Sequence, residues 1–268
     1  MLGKIPSFTC IQKCPNGSWS TAPPAECPRV APERTAERRG NYLLATLDND
    51  ERRRLEPLVE RVRLEHKDPL ATRGERIAHV YFPVDTVTST LMELPEGDTV
   101  EVGLMGAEGM TGLSLLYGEA ESNTTVIAQI PGRADRIAAD DFVREVVEYR
   151  GAFYKLLLRY ANVFMAMVAQ GAACNASHSI EQRSARWIAL SQDRVGRDSF
   201  PVTHEYLALM LGVRRASVTG AMNVLRLAGA IEYSRGHIVV CDREQLVNAA
   251  CGCYPAMTAM TESLFEAR

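Results

Sequence analysis

Between Tyr149 and Cys174 the chain repeats itself in steps of four and three. The positions are Tyr149, Phe153, Leu156, Tyr160, Val163, Met167, Gln170 and Cys174. A period of 3.5 residues is that of a helix with a heptad seam, which supercoils with a partner helix. The pattern predicts a helix over 139–176, continuous or broken near Gly151, whose seam forms a parallel homodimer. Leu157, Leu158, Phe164 and Met165 lie off the seam and are left for the helix's own domain.

The pattern upstream is different. Asn41–Arg63 reads as helical, with Tyr42, Leu43, Leu44, Leu47, Leu55, Leu58, Val59 and Val62 as its apolar positions. Asp48 is placed to cap its second part, with Glu51 completing a capping box. Short β-rich runs follow at His79–Phe82, Val87–Met92, Thr99–Leu104, Thr124–Ile130 and Ala134–Ile137, separated by Gly and Pro turns. Regular short strands of this kind predict a β-roll or jelly roll. Gly103, Gly106, Gly109 and Gly112 recur every third residue. No Lys-Ser/Thr follows them, so they read as tight corners of the roll and not as a phosphate loop.

Downstream, a helix over Ile180–Val195 leads to a third pattern. Tyr206, Leu207, Met210 and Leu211 form one amphipathic helix, stopped by Gly212. A second helix runs from about Arg215 to Leu227, with Val218, Met222 and Leu225 on its apolar side. Ile231–Tyr233 and His237–Val240 then read as a hairpin closed through Ser234-Arg235-Gly236. Two short helices about a tight turn form a helix-turn-helix, whose second helix enters the DNA major groove, and the hairpin is its wing. The polar side of the second helix and the wing offer Arg214, Arg215, Ser217, Thr219, Asn223 and Arg235 as candidate DNA contacts. The expected fold class is therefore α+β. It comprises a leader at 1–40, a β-roll domain at 41–138, a dimerisation helix at 139–176, a winged helix-turn-helix domain at 177–248, and a featureless tail at 249–268.

Composition sharpens this in two places. The net charge is −3 over 268 residues, so the molecule is not a polycation and any nucleic-acid surface is local. Such a surface exists from Arg214 to Arg235, where four arginines meet one acid, Glu232. No run of 18 apolar residues occurs and the N-terminus lacks an apolar core, so neither a membrane span nor a signal peptide is expected, and the cytoplasm is the expected location. The cysteines are Cys10, Cys14, Cys27, Cys174, Cys241, Cys251 and Cys253. Their odd number and irregular spacing fit neither a disulfide framework nor usual zinc or iron–sulfur spacings. No metal and no cofactor are expected, and Cys251-Gly-Cys253 alone carries a faint redox signature. His66, His79, His178, His204 and His237 are isolated in sequence.

The order of β-roll, long helix and winged helix-turn-helix resembles the Crp/Fnr family of bacterial transcription regulators over roughly residues 41–248. The resemblance is carried by Pro201-Val202-Thr203, Leu211-Gly212-Val213 and Ile238-Val239-Val240. In the roll it is carried by Arg73-Gly74-Glu75 and the Leu113–Gly118 run. It implies a cyclic-nucleotide-binding-like roll and a homodimer on an inverted-repeat operator in double-stranded DNA. It also implies an effector felt by the roll, with RNA polymerase as a further candidate partner. Gly112, Leu113, Ser114, Glu121, Ser122 and Asn123 mark the corresponding effector pocket. Gly112 stands where cyclic AMP-binding members carry a glutamate, and Glu121 where they carry an arginine, so cyclic AMP is not the expected effector. Arg215 aligns with the family's guanine-reading arginine, while Ala216 and Gly220 replace two other base-reading residues. The residues leave open two other classes, a cupin-like metal-dependent enzyme built on the roll and a protein-binding module. Both are disfavoured by the arginine-bearing second helix and by the lack of paired histidines.

Overall fold

The structure, a computed structural model, describes residues 12–13, 19–20 and 40–266. Strands β1 (Gln12–Lys13) and β2 (Trp19–Ser20) pair antiparallel as a unit of their own. The rest of the expected leader, with Cys10, Cys14 and Cys27, lies outside the described residues.

Asn41 caps α1 (Tyr42–Ala45). Its side-chain oxygen accepts from the Leu43 and Leu44 amides while its Nδ2 donates to the Pro83 and Gly109 carbonyls. Asp48 caps α2 (Asn49–Leu55) as expected, accepting from the Asp50 and Glu51 amides. Glu51 departs from the expected box. Its Oε1 accepts from the backbone N–H of Phe153 at 2.8 Å, 102 positions away. The helical pattern was expected to run to Arg63, but β3 occupies Glu60–Leu64. Its Arg61 and Glu60 pair with Asp135 and Arg136 on the neighbouring strand, and such cross-strand ion pairs suit a charged edge strand.

Strands β4 (Pro69–Ala71), β5 (His79–Pro83), β6 (Val87–Glu93), β7 (Thr99–Met105), β8 (Thr125–Ile130) and β9 (Gly132–Ala138) complete the roll. Two antiparallel sheets, ordered β3-β9-β5 and β4-β8-β6-β7, enclose a core that includes Phe82, Ile137, Met105, Val126 and Ala128. The expected strands stand where the alternation put them. Only β3 and β4 lacked a legible signal.

The chain leaves the roll through α3 (Ala139–Phe142) and a π-helical turn over Val143–Glu148, then breaks at Arg150 and Gly151. The long helix α4 runs over Ala152–Ser177. Part of the seam expected to meet a second subunit is covered by its own chain: Phe153, Tyr160 and Cys174 are buried within it. Phe153 packs on Phe82 and Tyr160 lies beneath the roll. Gly109 is a corner of the roll, and a Cβ there would overlap the Tyr160 hydroxyl, so the roll can approach this closely only at glycine. Further along, Met167, Gln170 and Cys174 face a second element, the helix α9 (Cys253–Phe265). The helix α8 (Arg243–Ala249) closes the winged domain, and the tail beyond it is not featureless: it forms α9, which supplies a helical partner for the heptad period. Tyr149 precedes the break and lies under the Arg54 guanidinium at 3.6 Å. Leu156 and Val163 are half-buried. By length and composition α4 could cross a membrane, with an 18-residue window of mean hydropathy 1.2. Here its apolar face lies on the roll and on α9.

Helix α5 spans Ile180–Val195, starts with a Ser179–Gln182 capping box and ends at the left-handed Gly196. It is followed by β10 (Ser199–Pro201), α6 (His204–Leu211), α7 (Arg215–Leu227), β11 (Ile231–Ser234) and β12 (His237–Val240). The sheet order is β10-β12-β11. Gly212, at φ 61°, makes the turn between α6 and α7. Ile188, Leu207, Met222, Leu225 and Ile238 form the core, which continues into Val87, Leu91 and Leu104 of the roll. The winged helix and the roll thus share one apolar joint.

Candidate nucleic-acid interface

Helix α7 buries Val218, Ala221, Met222 and Leu225 and leaves its other side to solvent. Arg214 stands at its N-cap with no capping hydrogen bond from its side chain, and Arg215, Thr219 and Asn223 are exposed. Ser217 is half-buried. The exposed side therefore presents two guanidinium groups at the end of the helix that carries the positive pole of its dipole, with the Asn223 amide about two turns further along, an arrangement that suits phosphate oxygens and base edges. Five of the six candidate contacts are solvent-facing, Arg235 in the wing included.

Arg235 and Gly236 form the two-residue wing turn, with φ 49° and 80°. This left-handed geometry is what a tight hairpin needs, and glycine and asparagine accept it most readily. An arginine at this site costs about 1 kcal/mol of backbone strain.

His204, isolated in sequence, joins two elements of this surface. Its ring stacks on Tyr233 of the wing at 4.1 Å, and its Nδ1 lies 3.1 Å from the Thr219 hydroxyl. Thr219 in turn donates to the Arg215 carbonyl. Burial, with help from the Arg215 charge, lowers the pKa of His204 and keeps it neutral at neutral pH. The imidazole therefore ties the wing to the N-terminal part of α7 through Thr219.

The joint behind this surface holds Glu101 of β7. It is half-buried, accepting from Trp187 Nε1 at 2.9 Å and from the Ser89 hydroxyl at 2.5 Å. Burial raises its pKa to about 7, against the opposing pull of those hydrogen bonds and of Arg186 and Arg194. A cavity of about 140 Å³ adjoins it, lined by Phe164, Met167, Leu190 and Leu211 among others.

Among the described residues, none of the six expected effector residues lines the cavity beside them. Gly112 has φ 77° at the start of the 3₁₀ turn Leu113–Tyr117, and Ser122 is buried and bonded to the Thr124 carbonyl. Glu121 is exposed, and only its backbone pairs with that of Arg76, in an isolated β-bridge. The nearby cavity of about 260 Å³, lined by Ile77, Leu115, Gly118, Val143 and Val147, includes none of the six. His66 and His79 take separate partners: the Gln129 carbonyl lies 2.9 Å from His66 Nδ1, and His79 lies against Tyr81.

The structure also unites residues that the sequence kept apart. Cys174 and His178, one turn apart at the end of α4, meet Cys251 and Cys253 at the start of α9, with all four donor atoms within 4.8 Å of one another. Neither the isolated histidine nor the irregular cysteines announced this. The only sequence signal was the i, i+4 spacing of Cys174 and His178 together with Cys-x-Cys.

Residues 182–249 match the Crp-like helix-turn-helix domain family. No curated protein matches the chain in sequence. Among solved structures, a Crp-family transcriptional regulator of Thermus thermophilus is 20% identical with a TM-score of 0.57, over 70% of this chain and 96% of that one. The c-di-GMP-responsive global regulator CLP of Xanthomonas campestris is 13% identical with a TM-score of 0.57, over 72% and 99% of the two chains. FixK2 of Bradyrhizobium japonicum gives 14%, 0.57, 72% and 98%. The chain carries a Crp-like helix-turn-helix domain and has the fold of the Crp/Fnr regulators.

Proposed function

We infer that the chain is a DNA-binding transcription regulator, acting as a homodimer on an inverted repeat. The observation that carries this reading is the solvent-facing side of α7, with Arg214, Arg215 and Asn223 unburied beside a wing arginine held in a strained turn. Arg215 reads a base edge, where a guanidinium fork matches the O6 and N7 of guanine. Arg214 and Arg235 bind phosphate, and Ser217 and Thr219 position the helix. The dimer forms through the side of α4 that neither the roll nor α9 covers, along Asn162, Met165, Ala169, Ala172 and Ala176. Met165 is 65% exposed there, and the alanines allow two helices to approach closely.

The roll receives a signal other than cyclic AMP. Supporting this, Gly112 occupies a left-handed conformation that a glutamate would strain, and a Cβ there would press on Val80 at 3.3 Å. Glu121 would face a phosphate with like charge. That CLP is c-di-GMP-responsive is a precedent for this fold serving another ligand.

Selection from random duplex DNA tests the reading. Wild type should enrich a two-fold symmetric motif, and Arg215→Ala should lose roughly 1–3 kcal/mol and relax one base pair in each half-site. Enrichment of one motif with equal information content by both proteins would remove base readout from Arg215. Calorimetry with cyclic AMP should show no binding at micromolar concentration.

A further inference from the structure

We propose that Cys174, His178, Cys251 and Cys253 form a tetrahedral site for a zinc-class divalent cation that fastens α9 to the end of α4. Three thiolates and one imidazole are a donor set used by closed structural zinc sites. Zinc bonded at about 2.3 Å to sulfur and about 2.0 Å to nitrogen sets tetrahedral edges of about 3.5–3.8 Å. The Cys174 and Cys251 sulfurs are 3.4 Å apart, and Cys253 Sγ lies 3.7 Å from His178 Nδ1. An iron–sulfur cluster places several atoms between its ligand sulfurs and needs a wider cage.

The surroundings fit the charge of such a site. Three thiolates around a dication leave one net negative charge. Arg183 and Arg186 on α5 are buried close enough for their charges to act on Cys174. Neither forms an ion pair with a carboxylate among the described residues, and the Nε of each lacks a hydrogen-bond partner. Arg186 lies within reach of the Glu101 charge, but a buried Arg183 guanidinium with no carboxylate acting on it is costly unless another anion lies near, and the thiolate site supplies one. Gln170 Nε2 donates to Cys253 Sγ at 3.2 Å, an outer-shell contact of the kind that orients a ligand.

The site's position gives it a consequence. Cys174 and His178 end the helix that leaves the roll, one residue before the Ser179 cap of α5. A bound cation holds α9 against that junction and fixes how the winged helix leaves α4.

The test uses the full chain, purified without chelator, and reads metal directly, so its outcome is independent of DNA binding. Elemental analysis should find about one zinc per chain, and Cys253→Ser should lower it at least about tenfold. Cobalt loaded after zinc removal should give the absorption of a tetrahedral thiolate complex. Because a variant can misfold, the wild type is also alkylated with iodoacetamide. Cys174, Cys251 and Cys253 should be protected with metal and labelled after chelation. Chains with no metal and free thiols would overturn the proposal. A Cys174–Cys251 disulfide without metal, or iron accompanied by acid-labile sulfide, would overturn it equally.

Discussion

The winged helix and the β-roll use their polar residues in opposite ways. On α7 and the wing, Arg214, Arg215, Asn223 and Arg235 are left over once the fold is built: none is buried, and Arg235 sits where a backbone would prefer glycine. In the roll, the backbone positions marked for an effector are used by the fold. Gly112 makes a turn, Ser122 closes a loop, and Glu121 joins a bridge. Function is legible at the first site because its chemistry remains unspent. At the second, the turn-forming role of Gly112 displaces the ligand-binding role that the alignment position suggested.

Substitutions can break or sharpen this contrast. The largest effect is expected on the roll side. Phe153→Ala should lower stability by roughly 3–5 kcal/mol, since Phe153 fills the core beside Phe82. Denaturant unfolding at several protein concentrations checks it. A loss that appears only as dimer dissociation would return Phe153 to an intersubunit seam.

At the joint between the two regions, the Glu101 carboxyl has a folded pKa of about 7 against an ordinary 4.5. A raised carboxyl pKa means that the folded state holds the proton more tightly. Its contribution is complete below pH 4.5 and is lost as pH rises through 7, a change of roughly 3 kcal/mol. Glu101→Gln should flatten the stability–pH profile across that window, and an unchanged slope would detach Glu101 from it.

Met165→Glu should raise the dimer dissociation constant at least about tenfold, roughly 1.4 kcal/mol, with little change in monomer stability. Sedimentation velocity measures the first and thermal unfolding the second. Smallest is the effect of Arg235→Gly. It should relieve about 1 kcal/mol of turn strain while reducing the salt slope of DNA binding by about one unit. If the salt slope is unchanged, the wing arginine does not touch phosphate.

Local pattern located most of the fold. The alternation of β5 to β9, the amphipathic α5 to α7 and the glycine at 212 each carry their conformation within a few residues. The rest of the fold depends on partners distant in sequence. Glu60–Leu64 reads as a charged helical end because its strand character comes from β9. The heptad seam of α4 says that one side is covered but not by what, and a helix supplied in cis satisfies the period as well as one supplied in trans. The cysteine–histidine cluster joins positions 77 apart, and no spacing rule spans that distance. On α7, by contrast, the candidate contacts were legible because helical phase alone separates the buried side from the exposed one.

The bond from Glu51 to the Phe153 amide also has a consequence in time. The first turn of the long helix takes its cap from a carboxylate 102 residues earlier, and the intervening chain is the roll itself. At about 5–20 residues per second, a ribosome releases Glu51 roughly 5–20 s before the amide it will cap. The helix therefore acquires its starting point only when the roll has closed, a contact of high sequence separation that slows folding. The element that links the two halves is also the one whose start waits for the first half to finish.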